Sequence, residues 1–195
     1  MAMDPFLQPS TVIDWEHPSV IARARSLRGH GDSVEGIVRR CFEWVRDEIK
    51  HSGDFQLTPV TCRASDVLLV GSGYCYAKSH LLAALLRANR IPAGLCYQRL
   101  ALDDAGSRFC LHGLNAVRLA SHGWYRIDPR GNRPDIDARC EPPIERLAFA
   151  PSLPGERHLP EVWPEPLPVV TAALLAHTDA QVLGQQLPDV ELWTA

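Results

Sequence analysis

Residues 71–89, GSGYCYAKSHLLAALLRAN, carry the reading of the fold. Gly71-Ser72-Gly73 is turn chemistry, and a helix is predicted from Cys75 to Asn89, closed by Pro92. Leu81, Leu82, Ala83, Ala84, Leu85 and Leu86 are consecutive, so that helix is apolar around its whole circumference. Such a helix is a central one, packed by other elements on most sides. A thiol, Cys75, stands where the loop becomes the helix.

Working upstream, Asp32 and Glu35 have capping-box spacing, and Val34, Ile37, Val38, Cys41, Val45 and Ile49 share one face, which predicts a helix over 32–50. A shorter helix is expected over 16–28, ended by Gly29 and Gly31. Residues 51–62 read as a loop and 64–69 as a single helical turn.

Downstream of Pro92 the period changes. Segments 93–102, 109–119 and 124–128 are extended, separated by Asp103-Asp104-Ala105-Gly106 and Ser121-His122-Gly123, and form an antiparallel meander. Helices first and strands afterwards indicate an α+β fold with the helices on one side of the sheet. Prolines crowd 134–168 and oppose regular structure. Ile144, Leu147, Phe149 and Trp163 among them indicate an extended segment wrapped over the domain, with a last helix over 171–184. One domain over 1–195 is expected, with 134–195 as its wrapping segment. Residues 1–5, MAMDP, have the character of a vector remnant and carry no functional weight.

At 46% hydrophobic the chain can bury a substantial core. A formal charge of −3 gives no electrostatic case for nucleic acid or an anionic membrane as partner. Arg23, Arg25 and Arg28 read as one solvated helix face. There is no signal-like apolar stretch at the start and no run near the about 20 apolar residues that span a bilayer, so a cytoplasmic location is expected. None of the six cysteines forms a C-x-x-C pair, so neither a metal nor a cofactor is expected.

A cysteine at a helix start meets the positive end of the helix dipole and unpaired N–H groups, which favour the nucleophilic thiolate. The same N–H groups can stabilise an oxyanion. Gly73, without a side chain, would let a substrate backbone approach. The plain alternative for Cys75 is a buried structural thiol.

Activation needs a base, and eight histidines are available. His80 lies five residues along the helix, about 140° around it, and faces elsewhere. His17, His30 and His51 fall in loops or at helix ends, His122 in a turn, His158 and His177 in the tail. His112, at the start of LHGLNAVRL, is the strongest of the set. The next strand ends in Asp128, and hairpin pairing with a bulge or diagonal offset would bring the two together. A core histidine bonded to a carbonyl, and a carboxylate capping Pro129-Arg130-Gly131, are the alternatives; spacing alone leaves several assignments open.

Gly73-Tyr74-Cys75 before the apolar helix, then ALLRANRIPA, then His112, then WYRIDP from Trp124, resembles the transglutaminase-like superfamily of papain-type cysteine enzymes over about residues 60–132. The resemblance implies Cys75 as nucleophile, His112 as base and Asp128 as orienting acid. Gly73, Tyr76, Arg130 and Asn132 are the candidates for oxyanion or substrate contacts. The chain departs from the family pattern at Arg90, where Gly is common, leaving Asn89 as the expected left-handed helix end. It departs again at His112-Gly113-Leu114 and Asp128-Pro129-Arg130, in place of His-Ala-Trp and Asp-Pro-Thr. The expected function is a cofactor-free cysteine hydrolase that attacks an amide in a peptide or small molecule through a thioester. Transamidation or acyl transfer by the same triad, and an idle binding module, are the alternatives.

Overall fold

In the computed structural model, residues 4–190 are described. After a short 3-10 helix (Pro5–Leu7) come two amphipathic helices, α1 (Pro18–Leu27) and α2 (Val34–Glu48). The α2 cap is Ser33, whose Oγ accepts the Gly36 N–H at 3.1 Å, and not the expected Asp32. Asp32 is instead drawn into an ion pair with Arg40. The buried face holds Ile37, Val38, Cys41, Phe42 and Val45, whereas Val34, expected on it, is 48% exposed.

The expected loop after α2 is more ordered than its residues suggest. It begins with β1 (Lys50–His51) and a one-turn helix, α3 (Ser52–Phe55), followed by α4 (Ala64–Val70). Gly71, at φ +76, ends α4 in the left-handed region that glycine tolerates. Ser72-Gly73 is then a strand, β2, paired in parallel with β1 as Lys50↔Ser72 and His51↔Gly73. Two-residue strands show no alternation, which is why the sequence pattern misses them.

The central helix α5 (Cys75–Ala88) is buried from Cys75 to Arg87. It packs against α1, α2 and α4 and against the sheet. Arg90, not Asn89, takes the left-handed conformation, with φ +62 against −88 for Asn89. The Ile91 N–H reaches Leu86 O at 3.0 Å and the Arg90 N–H reaches Arg87 O at 2.9 Å, a Schellman closure. Asn89 stays at the cap because its side chain donates to Leu85 O and Ala24 O.

The strands β3 (Ala93–Ala101), β4 (Phe109–Leu119) and β5 (Gly123–Ile127) form the expected antiparallel meander. The Pro-rich segment departs from expectation by containing short strands: a hairpin of β6 (Arg139–Glu141) and β7 (Ile144–Arg146), then β8 (Arg157–His158). β8 extends the main sheet to the order β5-β4-β3-β8. Beyond it Trp163 bridges Leu95 on the same strand, β3. The last expected helix divides into α6 (Pro168–Ala176) and α7 (Ala180–Gln185), because Asp179 accepts the Gln181 and Val182 N–H groups and starts a new helix. No described helix is long and apolar enough to cross a membrane.

Candidate active site

Three elements meet at the start of α5. Cys75 is its first residue, and Tyr74 at the cap offers no side-chain acceptor to the first turn. The early N–H groups therefore remain beside the thiol, unclaimed by a cap side chain.

β4 supplies His112 and Gly113. The Gly113 N–H points to Cys75 Sγ at 3.4 Å. A Cβ at 113 would stand 2.9 Å from Tyr76 Cδ1 and 3.2 Å from Tyr76 N, too close for any side chain. The glycine in His112-Gly113-Leu114 thus sets how closely β4, and His112 with it, can approach α5.

Asp128 follows directly after β5 and is fully buried. Its Oδ2 accepts from His112 Nε2 at 2.7 Å and from Ala148 N at 3.0 Å, and its Oδ1 accepts from Arg130 N at 3.1 Å. The β4–β5 register, Asn115↔Ile127, puts Asp128 diagonally across from His112. With Nε2 bound to the carboxylate, Nδ1 of His112 is left to the thiol. Phe149, from the Pro-rich segment, meets the ring edge-on with centroids 5.0 Å apart.

The electrostatics separate one cysteine from five. Burial pushes the thiols of Cys41, Cys96 and Cys110 up to about 12 and those of Cys62 and Cys140 to about 11. Burial opposes ionisation of Cys75 too, but hydrogen bonds and charge from His112 and then His51 bring it down to about 6. Burial would lower His112, yet Asp128 and Cys75 raise it to about 10. Asp128 is held below the usual carboxylate range: burial resists, and His112 with the two backbone N–H groups prevails. A thiolate–imidazolium pair is the ground state this arrangement favours.

A cleft of about 440 Å³ opens on the thiol, with Leu100, Leu102, Phe149 and Leu187 among its walls. Cys75, His112 and Asp128 are brought together; the four accompanying candidates have other employment. The space over Gly73 is filled by Ala77, Thr61 and Val67, so this glycine serves helix–strand packing and gives a substrate no approach. Tyr76 lines the cleft, but its hydroxyl is bonded to Leu111 O inside the fold. Arg130 lines it too, with its guanidinium taken by Asp54 through two bonds of 2.7 Å. Asn132 holds its own loop through Ala138, accepting from N at 2.8 Å and donating to O at 3.3 Å.

His51, read from the sequence as a loop residue, also stands in the cleft beside the thiol. Only its residue type could have flagged it, because the β1–β2 pairing that places it has no sequence pattern. His80 is turned into the core, where Nδ1 meets Cys62 O at 2.8 Å. Among the described residues no cluster of three or more His, Cys, Asp or Glu is placed to hold a metal ion.

No curated protein matches the chain. Among solved structures it is similar to a candidate cysteine protease from Cytophaga hutchinsonii, at 22% identity and a TM-score of 0.51, covering 65% of this chain and 41% of that one. It is also similar to the periplasmic domain of TgpA from Pseudomonas aeruginosa, at 24% identity and a TM-score of 0.48, covering 66% and 48%. The chain thus spans less than half the length of either. The first likeness shows the fold, helices on a curled antiparallel sheet as in papain-like cysteine proteases. The family model of the transglutaminase-like superfamily matches residues 21–129, more than half of the chain and all of α5, β4 and β5, and the chain belongs to that superfamily.

Proposed function

We propose that the chain is a cysteine hydrolase that cleaves an amide bond, in a peptide or a small amide, through a thioester on Cys75. The observation that carries this reading is the pairing of one thiol, lowered to about 6 at a helix start, with an imidazole anchored on a buried carboxylate. Cys75 Sγ attacks the carbonyl carbon, and the carbonyl π pair moves to oxygen. His112, as imidazolium, gives its Nδ1 proton to the departing amine as the C–N bond breaks. The neutral ring then takes a proton from water, the resulting hydroxide attacks the thioester, and the thiolate leaves. Asp128 holds the ring in one orientation and favours its charged form throughout.

Hydrolysis is preferred over transfer to an amine because the cleft offers an amine little to bind. Its one acidic lining residue among those described, Glu156, is committed to the N–H groups of Ala101, Ser152 and Leu153 at 2.8–3.0 Å. The test is a screen of peptide and glutamine-amide substrates, with and without a primary amine, read by mass spectrometry against Cys75→Ala. Water-derived products absent from the Cys75→Ala blank are expected. Amine adducts as the main product would make the chain a transamidase, and products unchanged by Cys75→Ala would remove the nucleophile.

A further inference from the structure

We propose that His51 is a second catalytic imidazole, whose Nε2–H binds the oxyanion formed when Cys75 attacks an amide carbonyl. The assignment rests on the cysteine-hydrolase reading above and names the donor that the reading lacks.

His51 and His112 line the same cleft as the thiol and come from different elements, β1 and β4. Tyr74, just before Cys75, packs edge-on against the His51 ring at 5.4 Å, while Tyr76, just after it, packs on Gly113 beside His112. The β1–β2 ladder pairs His51 with Gly73, two residues before the thiol, and buries it to 8% exposure. Nδ1 accepts the Asp54 N–H at 3.3 Å in the neutral ring, and Asp54 Oδ1 stands 3.6 Å away, close enough to pair with the charged ring. In both the neutral form that accepts this N–H and the charged form paired with Asp54, Nε2 carries a proton. Asp54 is fixed in turn by the two-pronged grip of Arg130. Lys78, the other cation nearby, is turned to the Arg46 and Ile49 carbonyls.

His51 lines the same cleft as Cys75 and pairs with Gly73 two residues before it, and it is among the groups that hold the Cys75 thiol down. When the S–C bond forms, negative charge leaves the sulfur for an oxygen on the neighbouring carbon. A donor in the cleft beside the thiolate is then near that oxygen. The Cys75 N–H, at the start of α5, is one natural partner for the oxyanion. The other side-chain donors on this part of the cleft are spoken for: Tyr74 donates to Ala180 O at 2.6 Å, Tyr76 to Leu111 O, and Arg130 to Asp54. A helix cap for α3 would account for Nδ1 of His51 and leave Nε2 without a role.

The experiment compares wild type with His51→Ala and His51→Gln for turnover on a substrate from the screen, for the pH dependence of iodoacetamide labelling at Cys75, and for melting temperature. Glutamine keeps an N–H donor but carries no charge. His51→Ala should lower kcat by about 100- to 1,000-fold and raise the labelling midpoint, with His51→Gln recovering at least tenfold of the lost kcat. Should His51→Ala not fold, His51→Asn replaces it, because Asn can cap α3 but is too short to reach the oxyanion. Equal turnover and labelling in His51→Ala and wild type would overturn the assignment, as would equal loss in Ala and Gln that tracks melting temperature. If wild-type Cys75 labels no faster than the other cysteines, the hydrolase reading itself fails. Selective Cys75 labelling with an indifferent His51→Ala removes only the His51 role.

Discussion

The start of α5 and its middle each bury an imidazole against one oxygen, and the two respond in opposite directions. At the start, His112 bonds Asp128 at 2.7 Å; burial disfavours its charge, but Asp128 and the Cys75 thiolate raise it to about 10. In the middle, His80 bonds Cys62 O at 2.8 Å, and burial lowers it to about 4 against the weak opposition of that carbonyl. Depth and distance are nearly the same. What differs is the charge of the partner, which separates a ring that can hold a proton for chemistry from a ring that only packs.

Taking the charge from Asp128 should make His112 behave like His80, and this is the largest effect expected. Asp128→Ala should lower turnover by about 1,000- to 10,000-fold, with Asp128→Asn milder because Asn still bonds the ring. Melting temperature, measured alongside, separates this from a mere turn-cap role. A cap alone would leave Asn almost silent and Ala about 1 kcal/mol less stable at unchanged turnover per folded molecule.

The second contrast is in pH. A lowered thiol pKa means that reactive thiolate is present above about pH 6 and is lost as pH falls through it. Iodoacetamide should therefore label Cys75 at neutral pH, well before Cys41, Cys96 or Cys110, whose thiols ionise only near 12. Turnover should rise through about pH 6 and fall as the imidazolium loses its proton near pH 10. In His112→Ala the Cys75 labelling midpoint should move up, and equal labelling of all accessible thiols would remove the case for activation.

A smaller effect is expected at the other histidine. His80→Ala should lower stability by about 1–3 kcal/mol by leaving Cys62 O unpaired, without moving the Cys75 labelling midpoint. A shifted midpoint would mean that the middle of the helix is coupled to its start. The smallest effect should come from chelation: EDTA should leave melting temperature and turnover unchanged, and a large loss would reveal a metal site.

The contrast within α5 is partly legible in the amino-acid sequence. A stride of five residues turns His80 away from Cys75, and helical geometry needs nothing more. The strand alternation around His112 and the acid ending the next strand are equally visible there, although the diagonal offset depends on the register Asn115↔Ile127. The left-handed helix end falls one residue later than the residue types suggest. Asn89 is the commoner choice, but its side chain is drawn to Ala24 O, on a helix 65 positions earlier, and the turn passes to Arg90. His51 is hidden for the same reason, since a two-residue parallel ladder is made by packing and not by local preference.

By itself, the sequence determined the central apolar helix, the meander after it, the thiol at the helix start and the family pattern that names His112 and Asp128. Each of these depends on periodicity, turn chemistry or residue type, which act over a few neighbouring positions. Only the tertiary structure decided that Asp128 is fully buried with three donors, that Arg130 is committed to Asp54, and that His51 flanks the thiol. Those outcomes depend on which groups lose their water together when distant segments pack, and burial multiplies the effect of each nearby charge. No local pattern encodes that.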